Sequence, residues 1–391
     1  MEYSRKIALT VFVLLLFGGA FIYFQKQERP LGLGSPTKVA EQTSRNGENN
    51  TDFPLSVPRG FSISIFAQNV PGARVLAFDQ DGNLWVSRTA QGVISMIELK
   101  DGKAGSVKDV FSGLDRPHGL AFDPADPDTL YFAENDKISK VRIGQGEPQK
   151  IADLPDDGGH FTRTLIFSGN GRLFVSVGSS CNACDEKDNR RASIFTLDRE
   201  GRNFRKIAGG LRNSVFMTME PRTGQLWATE MGRDYLGDNL PPDEINIIKD
   251  SKNYGWPYCY GNRVHDPDFD PSGLRGQFCQ QTEPAHIEVP AHSAPLGLAF
   301  VSLNWPAEYQ NDLLVAYHGS WNRSKPTGYK VVRYKLDENG NNLGGEDFIT
   351  GWLVDGNIYG RPVDIVFDKD GAMFISDDKA GVIYRLEPIG G

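Results

Sequence analysis

VLAFDQDGNLWVS, residues 75–87, contains the unit from which the chain is built. A short apolar strand ends at Phe78, a turn of Asp, Gly and Asn follows, and a second strand carries an aromatic, Trp85. The unit recurs as GLAFDPADPDTLYFA (119–133), TLIFSGNGRLFVS (164–176), VFMTMEPRTGQLWAT (215–229), GLAFVSLNWPAEYQNDLLVA (297–316) and VDIVFDKDGAMFIS (363–376). Third strands such as GVISMIEL, ASIFTLD, YKVVRYKL and GVIYRLEP follow several of them. Four-stranded units repeating every roughly 40–50 residues predict an all-β, six-bladed β-propeller. A sandwich would also supply many strands, but not six copies of one motif. FSISIFA (61–67) has no blade of its own, so it is expected to lie beside GVIYRLEP and close the ring.

Composition agrees. The 391 residues include 43 Gly, 23 Pro and 11% aromatics, a mix suited to short strands joined by turns. A net charge of -8 argues against a nucleic-acid partner, which needs clustered Lys and Arg. Residues 7–24 are apolar without a charge and follow Arg5-Lys6, so the propeller is expected to be preceded by a membrane anchor or signal segment. The preferred reading is an anchor over 1–24, with a cleaved signal peptide as the alternative. A flexible linker over 25–53 and the propeller over 54–391 complete the layout. The body is then exported, periplasmic or otherwise extracytoplasmic, and touches membrane only through its N-terminal segment. Cys181-x-x-Cys184 lacks the histidine of a haem attachment site, and Cys259 and Cys279 enclose an insertion. In an oxidising compartment two local disulfides are the expected state.

In a propeller the innermost strands surround the axis, so residues at their starts converge on one face. Those residues are Arg74, His118, His160 with Arg163, Arg212 with Asn213, His292, and Arg361 with Asp364. A cationic or potentially cationic group from every blade of an acidic protein suits an anionic small molecule. His118 and His292 equally suit a structural role, capping the channel through water. The loop after Glu230 carries Asp234, Asp238, Asp243 and Glu244, a composition that calcium favours without EF-hand spacing. HGSWNRSKPTGYK (318–330) adds Arg323, Lys325 and Lys330, which either extend the anion site or form a solvated loop.

With these motifs in view, the chain resembles the glucose/sorbosone dehydrogenase family, soluble propeller enzymes that use pyrroloquinoline quinone, and looks closest to the L-sorbosone dehydrogenase-like branch. The resemblance spans nearly all of 55–388. It rests on GGHFTRTLIF, VGSSCNAC, GLRNSVF, PPDEIN with NYGWPYCYG, PAHSAPLGLAF, HGSWNRSKPTGYKVVR and GRPVDIVF in this order. It implies that His160 is the general base on the substrate and that Arg212 stabilises the reducing quinone oxygen. Asn213, Arg361 and either Lys330 or Arg323 would hold the cofactor, and the backbone carbonyls of Gly232 and Arg233 would hold calcium. The implied substrate is an aldose or a sugar-derived aldehyde, and electrons would leave to an external quinone or cytochrome. Two departures bear on the substrate: Gly159 stands where glucose-oxidising members have an acidic residue, and Met231-Gly232-Arg233 replaces Gln-Gly-Pro. A calcium-dependent lactonase and a non-catalytic sugar- or protein-binding propeller are the alternatives.

Overall fold

The computed structural model describes residues 47–389. They form six blades of four antiparallel strands, counted here from one to six, with a short parallel strand added to the outer edge of blades three and six. Blade one runs outward from Ala73–Phe78 through Leu84–Arg88 and Val93–Lys100 to Lys103–Ser112. Its turn shows why the motif recurs. Asp79 Oδ1 accepts the backbone N–H groups of Asp81 (3.0 Å) and Asn83 (2.8 Å), and Gly82 takes the left-handed conformation at φ +83°. In blade six Asp368 does the same for Asp370 (3.0 Å) and Ala372 (2.8 Å), with Gly371 at φ +92°.

The innermost strands of the other blades are Leu120–Asp123, Leu165–Phe167, Met217–Met219, Pro295–Phe300 and Pro362–Phe367. Blade six ends as the sequence predicts. Its third strand, Val382–Pro388, pairs antiparallel with Phe61–Ala67, Phe61 opposite Pro388 and Ser64 opposite Arg385. Aromatic packing fills the seam beside it: Phe61 lies 4.7 Å from Trp305 and 5.4 Å from Phe348, ring centre to ring centre.

The expected anchor and most of the expected linker fall outside the described residues. The end of that linker is ordered. Glu48–Asn50 forms a short parallel strand on Phe61–Ala67, and Asn50 Nδ2 donates to Ser62 Oγ at 3.0 Å. Polar residues that looked like tether thus satisfy a sheet edge. Among the described residues no helix is long and apolar enough to cross a membrane. Both expected disulfides are formed, Cys181–Cys184 and Cys259–Cys279. The second closes an insertion that precedes the outer strand of blade four, Ile287–Val289.

Candidate active site at the mouth of the axis

Several of the residues expected at the strand starts lie within electrostatic reach of one another. Arg361 lowers the pKa of Arg74, and Arg74 and Arg163 both lower that of His118, after burial as the main cause in each case. Like charges held close act in this direction, and at Arg74 the carboxylate of Asp378 opposes them.

His160 sits where blades three and four approach. Its Nδ1 lies 3.1 Å from the Ser179 carbonyl oxygen and 3.0 Å from Ser179 Oγ. A carbonyl only accepts, so Nδ1 carries the hydrogen and Nε2 keeps a free lone pair. Burial, then the charge of Arg212, pushes the pKa down to about 3, so the ring is a neutral base. The approach needs Gly178: a side chain there would meet His160 Cβ and Asn213 Oδ1, each at 2.6 Å. Gly159 is fixed as firmly. It lies at φ +71°, and an added Cβ would come within 2.4 Å of the Ser179 carbonyl oxygen. An acidic side chain at this position therefore has no room beside this base.

Arg212 is nearly buried and fully engaged. Nε donates to the Asn182 carbonyl (2.9 Å), Nη1 to the Gly232 carbonyl (2.9 Å), and Nη2 to Asn182 Oδ1 (2.9 Å) and Asp234 Oδ2 (3.0 Å). Asn213 Oδ1 accepts from Thr162 Oγ1 at 3.1 Å, while its backbone N–H is held by Glu230 Oε1 at 2.8 Å. Across the axis, Arg361 Nε donates to the His318 carbonyl (3.0 Å), and the guanidinium lies over the Tyr329 ring. Asp378 joins that side, pairing with Arg74 (2.9 Å) and His318 (2.9 Å).

Three further candidates are placed differently. Arg163 turns its guanidinium to backbone carbonyls, of Pro155 (2.7 Å) and His160 (2.8 Å), and so braces the His160 turn. Arg323 lies at the rim, donating to the Ala291 carbonyl and to Asn239 Oδ1, both at 3.1 Å. Lys330 starts the third strand of blade five and pairs with Asp347 at 2.6 Å, a partner within its own blade. His292 Nε2 bonds the Gly237 carbonyl at 2.8 Å, and Asn322 Nδ2 donates to Asp234 Oδ1 at 2.8 Å. The loop from Met231 to Asp243 is thus clasped by blade five.

Sequence reasoning missed Ser179, Asn182, Arg191, His318 and Asp378. Arg191 is fully buried, with Nη1 on the His160 carbonyl at 3.2 Å. VGSSCNAC marked the segment of the first two, but nothing in a string of small polar residues says which of them faces an arginine.

The arrangement has the chemistry for an anionic quinone and a hard cation. Arg74 Nε, His118 Nε2, Ser293 Oγ and Asn322 Oδ1, all at this end of the axis, are buried without a partner. Around Gly232 lie the carbonyl oxygens of Met231 and Gly232, the Asp234 carboxylate and the Asn182 amide oxygen, each of which accepts from the Arg212 guanidinium, so a cation there would share or displace that contact. Oxygen donors of this kind suit calcium. Among the described residues, the side-chain cluster spaced for a metal is Cys181, Cys184 and Glu186, whose sulfurs are bonded to each other.

Comparisons with known proteins converge on one family. The TrAA12-like family model matches residues 55–388. An uncharacterised protein of Borreliella burgdorferi is 32% identical over 93% of this chain and 97% of its own length. A pyrroloquinoline quinone-dependent pyranose dehydrogenase of Coprinopsis cinerea is 24% identical over 87% of this chain, which spans 55% of that enzyme. The aldose sugar dehydrogenase YliI of Escherichia coli is 27% identical over 67% of the chain and 66% of its own length. Among solved structures, the holo form of the quinone domain of the Coprinopsis enzyme superposes with TM-score 0.74 at 21% identity, covering 88% of this chain and 98% of that one. The calcium structure of a Trichoderma reesei enzyme of carbohydrate-active family AA12 also gives 0.74, covering 88% and 100%. These likenesses establish the propeller fold.

Proposed function

The chain belongs to the TrAA12-like family, and from that premise we propose that it is an exported dehydrogenase that oxidises an aldose or a sugar-derived aldehyde, with pyrroloquinoline quinone and calcium as cofactors. The observation that carries this reading is the pairing of a neutral, correctly tautomeric His160 with an anchored Arg212 beside oxygen donors. The two named sugar dehydrogenases among the relatives support the substrate class. The two disulfides support export.

Bound quinone would supply the two-electron acceptor. Everything else is done by the chain. His160 Nε2 takes the proton from the sugar hydroxyl, or from one hydroxyl of a hydrated aldehyde, while Ser179 fixes the ring. Arg212 would place positive charge where negative charge develops, and the Gly232 and Arg233 carbonyls would hold the calcium that supplies more of it. Asn213 and Arg361 would hold the cofactor, while Arg74 and His318 beside Arg361 are paired with Asp378 and would first have to leave it. Arg323 guards the rim. Lys330 would first have to leave Asp347. The electron acceptor is an external quinone or cytochrome, and any membrane contact is through the N-terminal segment.

The test is reconstitution. Purified protein is mixed with the quinone and calcium, and dye reduction is followed over a panel of aldoses and sugar aldehydes. Turnover that needs both additions supports the reading. A silent panel, with no quinone binding in an absorbance titration, overturns it.

A further inference from the structure

Residues 179–184 touch both halves of the proposed machinery from one short segment. Ser179 holds His160 Nδ1 through its carbonyl (3.1 Å) and its hydroxyl (3.0 Å), and that hydroxyl is itself fixed by donating to the Cys181 carbonyl at 2.6 Å. Three residues on, Asn182 is a hub. Its carbonyl oxygen accepts from Arg212 Nε (2.9 Å) and Trp256 Nε1 (3.1 Å). Its Oδ1 accepts from Arg212 Nη2 (2.9 Å) and the Asp234 N–H (2.8 Å), and its Nδ2 donates to the Asp234 carbonyl at 3.2 Å. Two obligatory donors at Oδ1 fix the orientation of the amide. The backbone between these contacts is closed by Cys181–Cys184, and Glu186 ties it down again by accepting from the Ser180 N–H (2.6 Å) and Ser180 Oγ (2.7 Å).

An arginine's guanidinium fork is rigid, but its stem has several rotatable bonds, so the fork keeps one placement only where its acceptors are rigid. A four-residue disulfide loop supplies that rigidity at both ends. We propose that the Cys181–Cys184 loop is a bracket that orients His160 and Arg212 together, with Asn182 as the positioning residue for Arg212. The inference rests on the dehydrogenase reading for its effect on turnover, but the bracket itself is a property of the apoprotein.

The experiment therefore has a cofactor-free arm. The imidazole nitrogen signals of His160, assigned against His160→Ala, are compared between the wild-type chain and Cys181→Ser/Cys184→Ser. The bracket requires one fixed Nδ1–H tautomer in the wild type and averaging between tautomers in the variant. Unchanged signals overturn it, whether or not the protein binds any quinone. The second arm is kinetic. Asn182→Ala is expected to lower kcat by 10-fold or more with a small change in sugar KM, because Arg212 would act on the developing charge and not on sugar binding. Asn182→Asp, which keeps the acceptor for Arg212 Nη2, is expected to recover most of that loss. Equal kcat in Asn182→Ala and wild type overturns the role of Asn182, and a wild type that turns over nothing overturns the dehydrogenase reading while leaving the NMR result standing.

Discussion

At the scale of single residues, His160 is the point on which the chemistry turns. His160→Ala is expected to keep fold and quinone affinity and to lose about 10²–10⁴-fold in kcat, as read by dye reduction. Its protonation can be predicted with a sign. The unfolded chain takes up the imidazole proton near the ordinary histidine value, while the folded chain does so only at about 3, because the ring is buried beside Arg212, Arg163 and Arg191. His160 therefore costs stability as pH falls from about 6.5 toward 3. His160→Asn should lose less of its Tm than the wild type over that range, and equal losses would refute the assignment. An anion bound among those arginines offsets part of their charge, so the His160 titration should move up when quinone is added. The placement of His160, Arg212, Asn213 and Arg361 was legible in the sequence because a propeller turns position at a strand start into position at the axis. Asn182 and Asp378 were not, since loops carry no periodicity, and charge alone did not show that Lys330 pairs with Asp347 on the neighbouring strand.

At the scale of elements, blade four is the most loaded. Glu230 and Glu244 face each other on adjacent strands and are both buried, with burial raising their pKa values to about 8 and about 7. Folded chains then hold protons that unfolded ones have lost, so these groups draw down stability as pH rises from about 4.5 to 8. Glu230→Gln is expected to raise Tm by a few degrees relative to wild type at pH 8 and little at pH 5. A constant offset across that range would rule this out. The closing strand gives a second expectation. Removing residues through Ala67 bares the edge of Val382–Pro388, and such edges recruit other chains. Light scattering should show association of the truncated protein, with Tm well below that of the full chain. The strands and the ring closure were readable from alternation and turn chemistry. The short strand at Glu48–Asn50 was not, because its stability comes from side-chain hydrogen bonds at an edge rather than from buried apolar surface.

For the whole molecule, the contrast between a net charge of -8 and a cationic axis mouth sets the response to ligands. A molecule that binds only the folded state adds RT ln(1 + [L]/Kd), about 2.7 kcal/mol at a hundredfold excess over Kd. Quinone and calcium together are expected to raise Tm by several degrees, and a chelator should reverse most of the gain. A quinone shift indifferent to chelation would remove calcium from the site. A lactonase would need side-chain carboxylates gathered round a central metal, and the carboxylates at this mouth, Asp378 and Asp234, are instead paired with Arg74 and Arg212.

The two-ended construction of blade six bears on how the ring comes to exist. The pairing of Phe61–Ala67 with Val382–Pro388 joins segments separated by all the intervening blades, so its loop-closure entropy is met late, after nearer contacts have formed. A chain emerging from the ribosome N-terminus first holds an unsatisfied apolar strand for almost its whole synthesis. Any product that stops short of Val382 remains an open arc with the first strand unmatched. Joining the two ends and cutting instead between two blades would make that pairing local, and such a permutant should refold faster while keeping the same ring.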